Sequence, residues 1–246
     1  MTQLDMFPTS PLPITDDPLA VLASTASCCI LTADCRDVLR QLPAGSIDAI
    51  VTDPPYGLGI AYDTYNDTET SWLSLLDNII PLCRRVARFV VMPSCQIRRL
   101  PWWYPHQPPD WLIAWYKGSP GHNAKIGFND WEPHVCWGRP IRPMHDFFHT
   151  RCGFTVEGHP CPKPVEWAIW LIQRAAEPAG IVLDPFMGSG TTGVAAKMLG
   201  RRYIGIDISP SYCSIARTRI VDAPTAVPPS LISDISRRKG HNNDPT

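Results

Sequence analysis

The sequence lacks any apolar run approaching the roughly 20 residues that a membrane-spanning helix requires. It also lacks a basic excess, because 22 Lys and Arg stand against 23 Asp and Glu and leave a net charge of −1. The nine cysteines are scattered without the regular spacing of a disulfide framework. These absences argue against a membrane protein, a disulfide-rich secreted domain and a protein that coats nucleic acid by bulk charge.

The composition suits one globular domain. The chain has 246 residues, of which 44% are hydrophobic and 18% are charged, enough for one substantial core. Its start has neither the basic residues nor the apolar stretch of a secretory signal, so we expect a cytosolic protein with reduced, mostly packed thiols. Both ends are rich in polar residues and proline, which predicts disordered tails at 1–25 and 222–246 around a domain at 26–221.

Short apolar runs separated by helix-like segments predict an α/β domain with a mostly parallel sheet and helices on both faces. The seven predicted strands are 28–33, 47–52, 86–92, 111–116, 133–137, 180–183 and 203–206, and the predicted helices are 36–42, 72–82, 164–176, 190–199 and 210–219. Two stretches, 93–110 and 139–158, are predicted to be long loops. Long loops inside a compact domain are often functional.

A glycine-rich turn lies between a predicted strand and helix in GIVLDPFMGSGTTGV, residues 180–194. Gly188 and Gly190 allow a tight turn and a close approach of a ligand to the backbone. The next predicted strand closes on Asp207, an acid that can bind both hydroxyls of a ribose. The pattern indicates a nucleoside cofactor, although a glycine turn alone occurs in many folds.

A second acid ends a predicted strand in DAIVTDPPYGLG, residues 48–59. Pro54 and Pro55 cannot donate hydrogen bonds to a sheet, so this strand must stop at Asp53. Asp53 and the ring of Tyr56 are therefore expected at the carboxyl end of a strand, where open α/β sheets bind their ligands.

The pairing of DPPYG (53–57) with DPFMGSGTT (184–192) resembles the β group of S-adenosylmethionine-dependent DNA amino-methyltransferases, in which the catalytic motif precedes the cofactor motif. HPCPKP (159–164) is similar to the HPxxKP stretch of that family, and the resemblance covers about residues 28–220. It implies a single Rossmann-like methyltransferase domain, S-adenosylmethionine as cofactor and double-stranded DNA as substrate. It also implies a cytoplasmic location in a bacterial cell or a phage-infected host.

The resemblance implies two groups of site residues. Asp53 and the Pro54 carbonyl would accept the hydrogens of an exocyclic base amine, and Tyr56 would stack on an extruded base. The full catalytic set is Asp53, Pro54, Pro55 and Tyr56, and the cofactor set is Asp34, His159, Lys163, Asp184, Phe186, Gly188, Ser189, Gly190, Thr191 and Asp207. Asp34 can instead cap the following helix, and Lys163 can be a solvated residue at a helix start.

Three functions remain open. An acid at position 53 favours adenine N6 as the target, since cytosine-N4 members more often carry Ser there. Cytosine N4 and a non-catalytic nucleic-acid-binding protein of the same fold are the alternatives. Two rival sites carry less weight: Cys95 as the nucleophile of a cytosine-C5 enzyme, and a zinc site, for which the spacing is non-standard, at His145, His149, Cys152, His159 and Cys161. No metal is expected.

Contact with DNA must come from local basic patches. In the family, a recognition segment lies before the HPxxKP motif, and in this chain only the basic and aromatic residues 139–158 are available for it. A second basic and aromatic stretch is 98–104. The predicted DNA contacts are Arg98, Arg99, Arg139, Arg142 and Arg151. So short a segment predicts a short or relaxed target sequence and argues against pairing with a restriction enzyme that reads a long site.

The N-terminal peptide QLDMF (Gln3, Leu4, Asp5, Met6 and Phe7) resembles the peptide by which bacterial replication and repair proteins bind the sliding clamp. Its apolar residues have no core to join, so they are free to insert into a partner's pocket. We expect the intact protein to associate with a bacterial sliding clamp and the Leu4→Ala/Phe7→Ala variant to associate much less. Equal association of both, or none by the intact chain, would disprove the prediction. A homodimer is also left open.

Overall fold

The computed structural model of the chain describes residues 14–94, 99–124, 127–150, 155–229 and 231, and gives only the backbone over 118–124 and 127–129. Its strands are β1 (Ile14–Thr15), β2 (Cys28–Thr32), β3 (Ile47–Val51), β4 (Ala87–Pro93), β5 (Trp111–Ala124), β6 (Gly127–Gly138), β7 (Phe147–His149), β8 (Ile181–Asp184) and β9 (Arg202–Asp207). Within the described residues they form one sheet in the order β1-β2-β9-β8-β3-β4-β6-β5-β7.

The sheet is mostly parallel, as predicted. The first six strands in the spatial order, β1-β2-β9-β8-β3-β4, all run parallel to one another. β6 runs antiparallel to both β4 and β5, and β7 returns parallel to β5. All seven predicted strands form. The two additional strands, β1 and β7, contain only two and three residues, too few to produce an apolar pattern in the sequence.

The helices are α1 (Pro18–Leu22), α2 (Cys35–Gln41), α3 (Glu69–Val86), α4 (Leu100–His106), α5 (Val165–Ala175), α6 (Thr191–Met198) and α7 (Pro210–Asp222). α1 to α4 cover one face of the sheet and α5 to α7 cover the other, each over its own apolar cluster. This arrangement confirms the Rossmann-like layer order. Of the described helices, none combines the length and the apolar character needed to cross a membrane.

The N-terminal segment differs from the prediction of a disordered tail over residues 1–25. Residues 14–25 are folded: β1 pairs with β2, and Val21 of α1 is fully buried. Asp17 caps α1 through the Leu19 N–H at 2.9 Å, and Arg202 of β9 donates to the Val21 carbonyl at 2.7 Å. Capping and one buried contact are therefore enough to order this polar stretch. The clamp-like peptide at 3–7 lies outside the described residues.

The stretch 93–110 is not simply a long loop, because it contains α4. Pro101 lies in the first turn of this helix, where its missing N–H costs no hydrogen bond. The Trp103 side chain is buried and its indole N–H donates to the Ser94 carbonyl at 3.2 Å. The high proline content concealed a short helix that one buried tryptophan anchors.

The described cysteines are all free thiols. Six are buried and Cys161 is exposed, which confirms the prediction of reduced and mostly packed thiols for this part of the chain. Burial raises the pKa of Cys28, Cys29 and Cys35 to about 12, so these thiols stay protonated at neutral pH. Cys95 and Cys152 lie outside the described residues.

The buried His134 on β6 is expected to make the stability of the fold depend on pH. Its ring is fully buried, Trp167 donates to its Nε2 at 2.7 Å, and its Nδ1 lies 3.2 Å from the Glu132 carbonyl. Burial lowers the pKa of His134 from 6.5 to about 3. Between pH 6.5 and about 3, His134 is protonated in the unfolded chain but not in the folded chain. The free energy of unfolding therefore decreases as the pH falls, by up to about 1.4 kcal/mol per pH unit.

We expect urea unfolding between pH 7 and pH 4 to show this contribution as a difference between the wild type and His134→Gln. The glutamine can still accept the Trp167 N–H but does not titrate, so the free energy of unfolding of the variant should fall less steeply with decreasing pH. Equal slopes for the two proteins would show that His134 does not carry this part of the pH dependence.

Candidate active site

Four acids lie at or just beyond the carboxyl ends of four neighbouring parallel strands. Asp34 follows β2, Asp207 ends β9, Asp184 ends β8 and Asp53 follows β3. Because these strands are adjacent in the order β2-β9-β8-β3, the acids are aligned along one edge of the sheet. All four line one pocket of about 1020 Å³, a volume that includes the part open to solvent.

The structure brings nearly all of the predicted cofactor residues to this pocket. Its wall includes Asp34, His159, Lys163, Asp184, Phe186, Gly188, Ser189, Thr191 and Asp207. Gly190 is absent from the wall. Its φ is +80°, and a Cβ there would lie 2.8 Å from the Ala216 Cβ of α7. Gly190 thus serves the turn and the packing of α6 on α7 rather than the pocket surface.

The glycine turn holds the Asp207 carboxylate in a fixed orientation. The Gly188 N–H donates to Asp207 Oδ2 and the Ser209 N–H donates to Asp207 Oδ1, both at 2.9 Å. Gly188 has φ +50°, and a Cβ there would meet His159 Nε2 at 2.6 Å. Burial raises the pKa of Asp207, while the backbone donors act in the opposite direction. The turn therefore requires glycine and presents a positioned acid to the pocket.

Asp184 connects the glycine turn to the DPPYG segment. The Thr52 hydroxyl, at the end of β3, donates to Asp184 Oδ1 at 2.5 Å, and the Phe186 N–H donates to the same oxygen at 3.1 Å. Asp184 is buried, which raises its pKa to about 7. This hydrogen bond between the ends of β3 and β8 fixes the position of the DPPYG segment relative to the glycine turn.

Asp34 caps a helix, which is one of the two interpretations from the sequence, and it also lies at the pocket. It lines the pocket, and it caps α2 by accepting the Arg36 N–H at 2.9 Å. The Arg36 guanidinium pairs with Asp34 Oδ2 at 2.5 Å, and this hydrogen-bonded partner lowers the pKa of Asp34.

Two polar atoms at the pocket have no hydrogen-bond partner among the described residues. They are His159 Nδ1 and the Tyr65 hydroxyl, and both are shielded from solvent. Burial raises the pKa of Tyr65 to about 12 and lowers the pKa of His159. Both groups are therefore neutral at physiological pH and available to a ligand, because unpaired buried polar groups are costly.

The DPPYG turn places Asp53 beside Tyr56 and Lys163. The Tyr56 hydroxyl donates to Asp53 Oδ1, and Lys163 Nζ lies 3.1 Å from the same oxygen and 3.4 Å from the Tyr56 hydroxyl. The Lys163 side chain is only 14% exposed, so it is not a solvated residue at the start of α5. Pro55 lines the pocket, whereas Pro54 is buried. Lys163 contacts Asp53 directly, which the cofactor assignment alone does not imply.

Glu132 on β6 is a site residue that the sequence analysis missed. Its Oε1 lies 3.7 Å from Lys163 Nζ and 3.5 Å from the Tyr56 hydroxyl, and its Oε2 lies 4.0 Å from Lys117 Nζ. Burial raises the pKa of Glu132, and Lys163 opposes that shift. The signal was an acid inside an otherwise apolar strand, WEPHVCW, because a buried charge needs a partner.

The segment that follows the DPPYG turn covers part of the pocket. Asp67 accepts backbone N–H groups from Gly57, Leu58 and Ile60 at 2.6 to 3.1 Å and so fixes the course of the chain. Further along, the Ser209 hydroxyl at the start of α7 donates to Asp63 Oδ2 at 2.6 Å. The residues of this segment that line the pocket are Tyr62, Thr64 and Tyr65.

The predicted DNA contacts are not supported where the structure describes them. Arg99 ion-pairs with Glu69, lies over the Trp72 ring at 4.8 Å and is 13% exposed. Arg139 follows β6, which runs antiparallel and therefore ends at the amino edge of the sheet. Arg142 pairs with Glu177, which precedes β8 at that same edge.

These arginines are thus occupied internally or lie across the sheet from the pocket, while Arg98 and Arg151 fall outside the described residues. The stretch 139–158 also contains β7, whose Phe148 is buried and stacks on Trp170 at 4.2 Å between ring centroids. Phe148 is therefore a core residue.

The rival sites gain no geometric support. In the part of the chain that the structure describes, no three His, Cys, Asp or Glu side chains are grouped to hold a metal ion. Cys95, the alternative nucleophile, lies outside the described residues.

Comparisons with known proteins agree with the site. A family model described as DNA methylase, of the N6/N4 type, matches residues 118–218. The putative methylase YubD of Escherichia coli strain K12 is 28% identical over 229 residues, covering 83% of this chain and 95% of that protein. The DNA adenine methyltransferase YhdJ of the same strain is 25% identical over 268 residues, covering 87% of this chain and 89% of that protein.

Solved structures extend the likeness to the fold. The M1.HpyAVI–SAM complex matches with a TM-score of 0.57 and 25% identity, over 78% of this chain and 98% of that chain. The PvuII cytosine-N4-specific DNA methyltransferase matches with a TM-score of 0.59 and 17% identity, over 85% and 91% of the two chains. The comparisons therefore support the resemblance to S-adenosylmethionine-dependent DNA amino-methyltransferases of the N6/N4 type.

Proposed function

We propose that the protein transfers a methyl group from S-adenosylmethionine to the N6 amine of adenine in double-stranded DNA. One observation carries the proposal. Asp53 and the glycine turn with Asp207 line the same pocket, and the Thr52–Asp184 hydrogen bond fixes one relative to the other. A base amine at Asp53 and a methyl donor at the glycine turn would therefore meet within one site.

The pocket residues fit S-adenosylmethionine. Asp207 is held by the Gly188 and Ser209 N–H groups with its carboxylate at the pocket, suited to ribose hydroxyls. The unpaired Tyr65 hydroxyl and His159 Nδ1 supply further polar partners in the same wall. S-adenosylmethionine, when bound, supplies a methyl group that its positive sulfur already activates.

Asp53 supplies the activation of the amine. The lone pair of an exocyclic base amine is conjugated into the ring, which makes the nitrogen a poor nucleophile. The Asp53 carboxylate and the Pro54 carbonyl accept the two amine hydrogens, which favours a pyramidal nitrogen whose lone pair points at the methyl group. The nitrogen would then bond to the methyl carbon as the bond from sulfur to that carbon breaks, and the Asp53 carboxylate would take up the amine proton, so no covalent intermediate with the protein would be needed.

Tyr56 supplies a face for the target base. The reacting amine cannot be reached inside a duplex, so the base must be extruded and stacked. Its hydroxyl is tied to Asp53, which fixes the ring next to the acid. Since the substrate is DNA, we place the enzyme where the DNA is, in the cytoplasm of a bacterial cell or a phage-infected host.

Adenine is favoured over cytosine by two observations. The first is the acid at position 53, and the second is the similarity to YhdJ, which is named as a DNA adenine methyltransferase. Cytosine N4 is the second candidate, because the fold also matches the PvuII cytosine-N4 enzyme and the chemistry at Asp53 serves either amine.

The test is to incubate the purified protein with labelled S-adenosylmethionine and mixed-sequence DNA, digest the DNA and identify the labelled nucleoside. N6-methyladenine is the expected product. N4-methylcytosine would instead establish the second candidate, and binding of DNA without any transfer would establish a non-catalytic protein.

A further inference from the structure

We propose that Glu132 is a positioning residue. When the target base binds, the Lys163 ammonium moves from Asp53 to Glu132, and Asp53 can then accept the amine hydrogens. This inference rests on the proposed function of Asp53 but not on whether the target base is adenine or cytosine.

The register of the sheet places Glu132 at the same edge as Asp53. Pro93, the last residue of β4, pairs with His134 of β6, and the Ser94 N–H reaches the Pro133 carbonyl at 2.8 Å. Glu132 is therefore the second residue of β6 beyond the end of β4, on the side of the sheet edge where the pocket lies. There it pairs with Trp115 of β5, and its side chain is 13% exposed.

Two acids share one ammonium and one hydroxyl at this point. Lys163 Nζ lies 3.1 Å from Asp53 Oδ1 and 3.7 Å from Glu132 Oε1. The Tyr56 hydroxyl donates to Asp53 and lies 3.5 Å from Glu132 Oε1. Lys117 Nζ lies 4.0 Å from the other carboxylate oxygen, Glu132 Oε2.

In this arrangement Lys163 occupies an oxygen of Asp53 that the target amine needs, and Glu132 offers Lys163 a second acceptor. Asp53 Oδ1 already receives the Tyr56 hydroxyl and the Lys163 ammonium, so an amine that approaches this oxygen has to compete with a charged donor. A shift of the ammonium by about 1 Å would bring it to a normal charge-assisted hydrogen bond with Glu132, since such bonds measure about 2.7–2.9 Å. Lys163 then keeps a counter-ion throughout, which avoids leaving a buried charge unpaired.

Glu132 must be ionised to hold Lys163, which gives the inference a pH signature. The groups that face it are Asp53 and Tyr56 from the DPPYG turn, Lys163 before α5, and Lys117 from β5; on β6 itself, the His134 ring contacts its backbone carbonyl. Burial raises the pKa of Glu132. The rate of the wild type should therefore decrease as the pH falls through this raised pKa.

The experiment compares the wild type with Glu132→Gln, which keeps the shape of the side chain and removes its charge. For total methyl incorporation into DNA at saturating cofactor, whichever base accepts it, kcat should fall by about tenfold or more, toward the loss of about 10² that a 1 Å misplacement can cause. Affinity for S-adenosylmethionine in the absence of DNA, measured by calorimetry, should change less than about twofold, which also shows that the variant is folded.

The pH profile separates positioning from a structural role. The variant should have its lower rate without the decrease at low pH that the wild type shows. Glu177→Gln, an exposed acid at the opposite edge of the sheet, is the matched control and should behave as the wild type. A Glu132→Gln variant with the wild-type rate and pH profile overturns the inference, whereas a wild type that transfers no methyl group overturns the proposed function.

Discussion

Asp53→Ala is expected to lower the rate of methyl transfer a hundredfold or more, in the range of about 10²–10⁴ that positioned proton acceptors contribute. The carboxylate is the acceptor that makes the base amine nucleophilic, and alanine offers no substitute. The substitution leaves the glycine turn and the buried Thr52–Asp184 hydrogen bond in place. Initial rates with labelled cofactor measure the first effect, and calorimetric titration with S-adenosylmethionine should show that binding survives.

Asp77→Ala is a suitable control, because Asp77 is an exposed acid on α3. It should leave both the rate and the affinity unchanged. Turnover of Asp53→Ala close to that of the wild type would show that the amine is activated by another group, and the mechanism proposed above would be wrong.

Asp207→Ala is expected to weaken the binding of S-adenosylmethionine by about 1.5–3 kcal/mol, which is the range for hydrogen bonds to charged groups and corresponds to roughly tenfold to hundredfold in Kd. Two effects contribute. The ribose hydroxyls lose their acceptor, and the Gly188 N–H loses the carboxylate that holds the turn. Isothermal calorimetry without DNA measures the affinity directly.

The matched control is Asp222→Ala, an exposed acid at the end of α7. A thermal unfolding curve of cofactor-free Asp207→Ala separates loss of the binding group from loss of the local fold. Unchanged affinity in Asp207→Ala would remove Asp207 from the cofactor site.

The two motifs could be located from the sequence because proline and glycine constrain the backbone. Two consecutive prolines follow Asp53 and prevent β3, which ends at Val51, from continuing. Gly188 permits a turn that a side chain would block against His159. Parallel strands then bring their carboxyl ends to one edge. Local chemistry and a general rule of sheet geometry were therefore sufficient to place Asp53 and Asp207 in one pocket.

The direction of β6 in the sheet could not be predicted from its sequence. Its apolar pattern indicates a strand but not that it runs antiparallel to β4. That reversal carries Arg139 and Arg142 to the edge opposite the pocket, a position that their basic character alone does not reveal. The same reversal brings Glu132 to the pocket edge, facing Lys163 across the site. Both corrections follow from strand order and register, which depend on contacts between distant parts of the chain.

Short elements were missed for a different reason. β1 and α1 together contain seven residues, and the signals that order them are one cap at Asp17 and the burial of Val21. α4 is anchored mainly by Trp103. Such elements gain their stability from tertiary contacts rather than from helix or strand propensity, so composition alone predicted tails and loops.

The measurement that tests the central claim most directly is mass spectrometry of genomic DNA from a bacterial host that lacks its own DNA methyltransferases and expresses this protein. The account predicts N6-methyladenine in DNA from cells with the wild type and none in DNA from cells with equal amounts of folded Asp53→Ala. No methylated base with the wild type, or N6-methyladenine at the same level with Asp53→Ala, would contradict it.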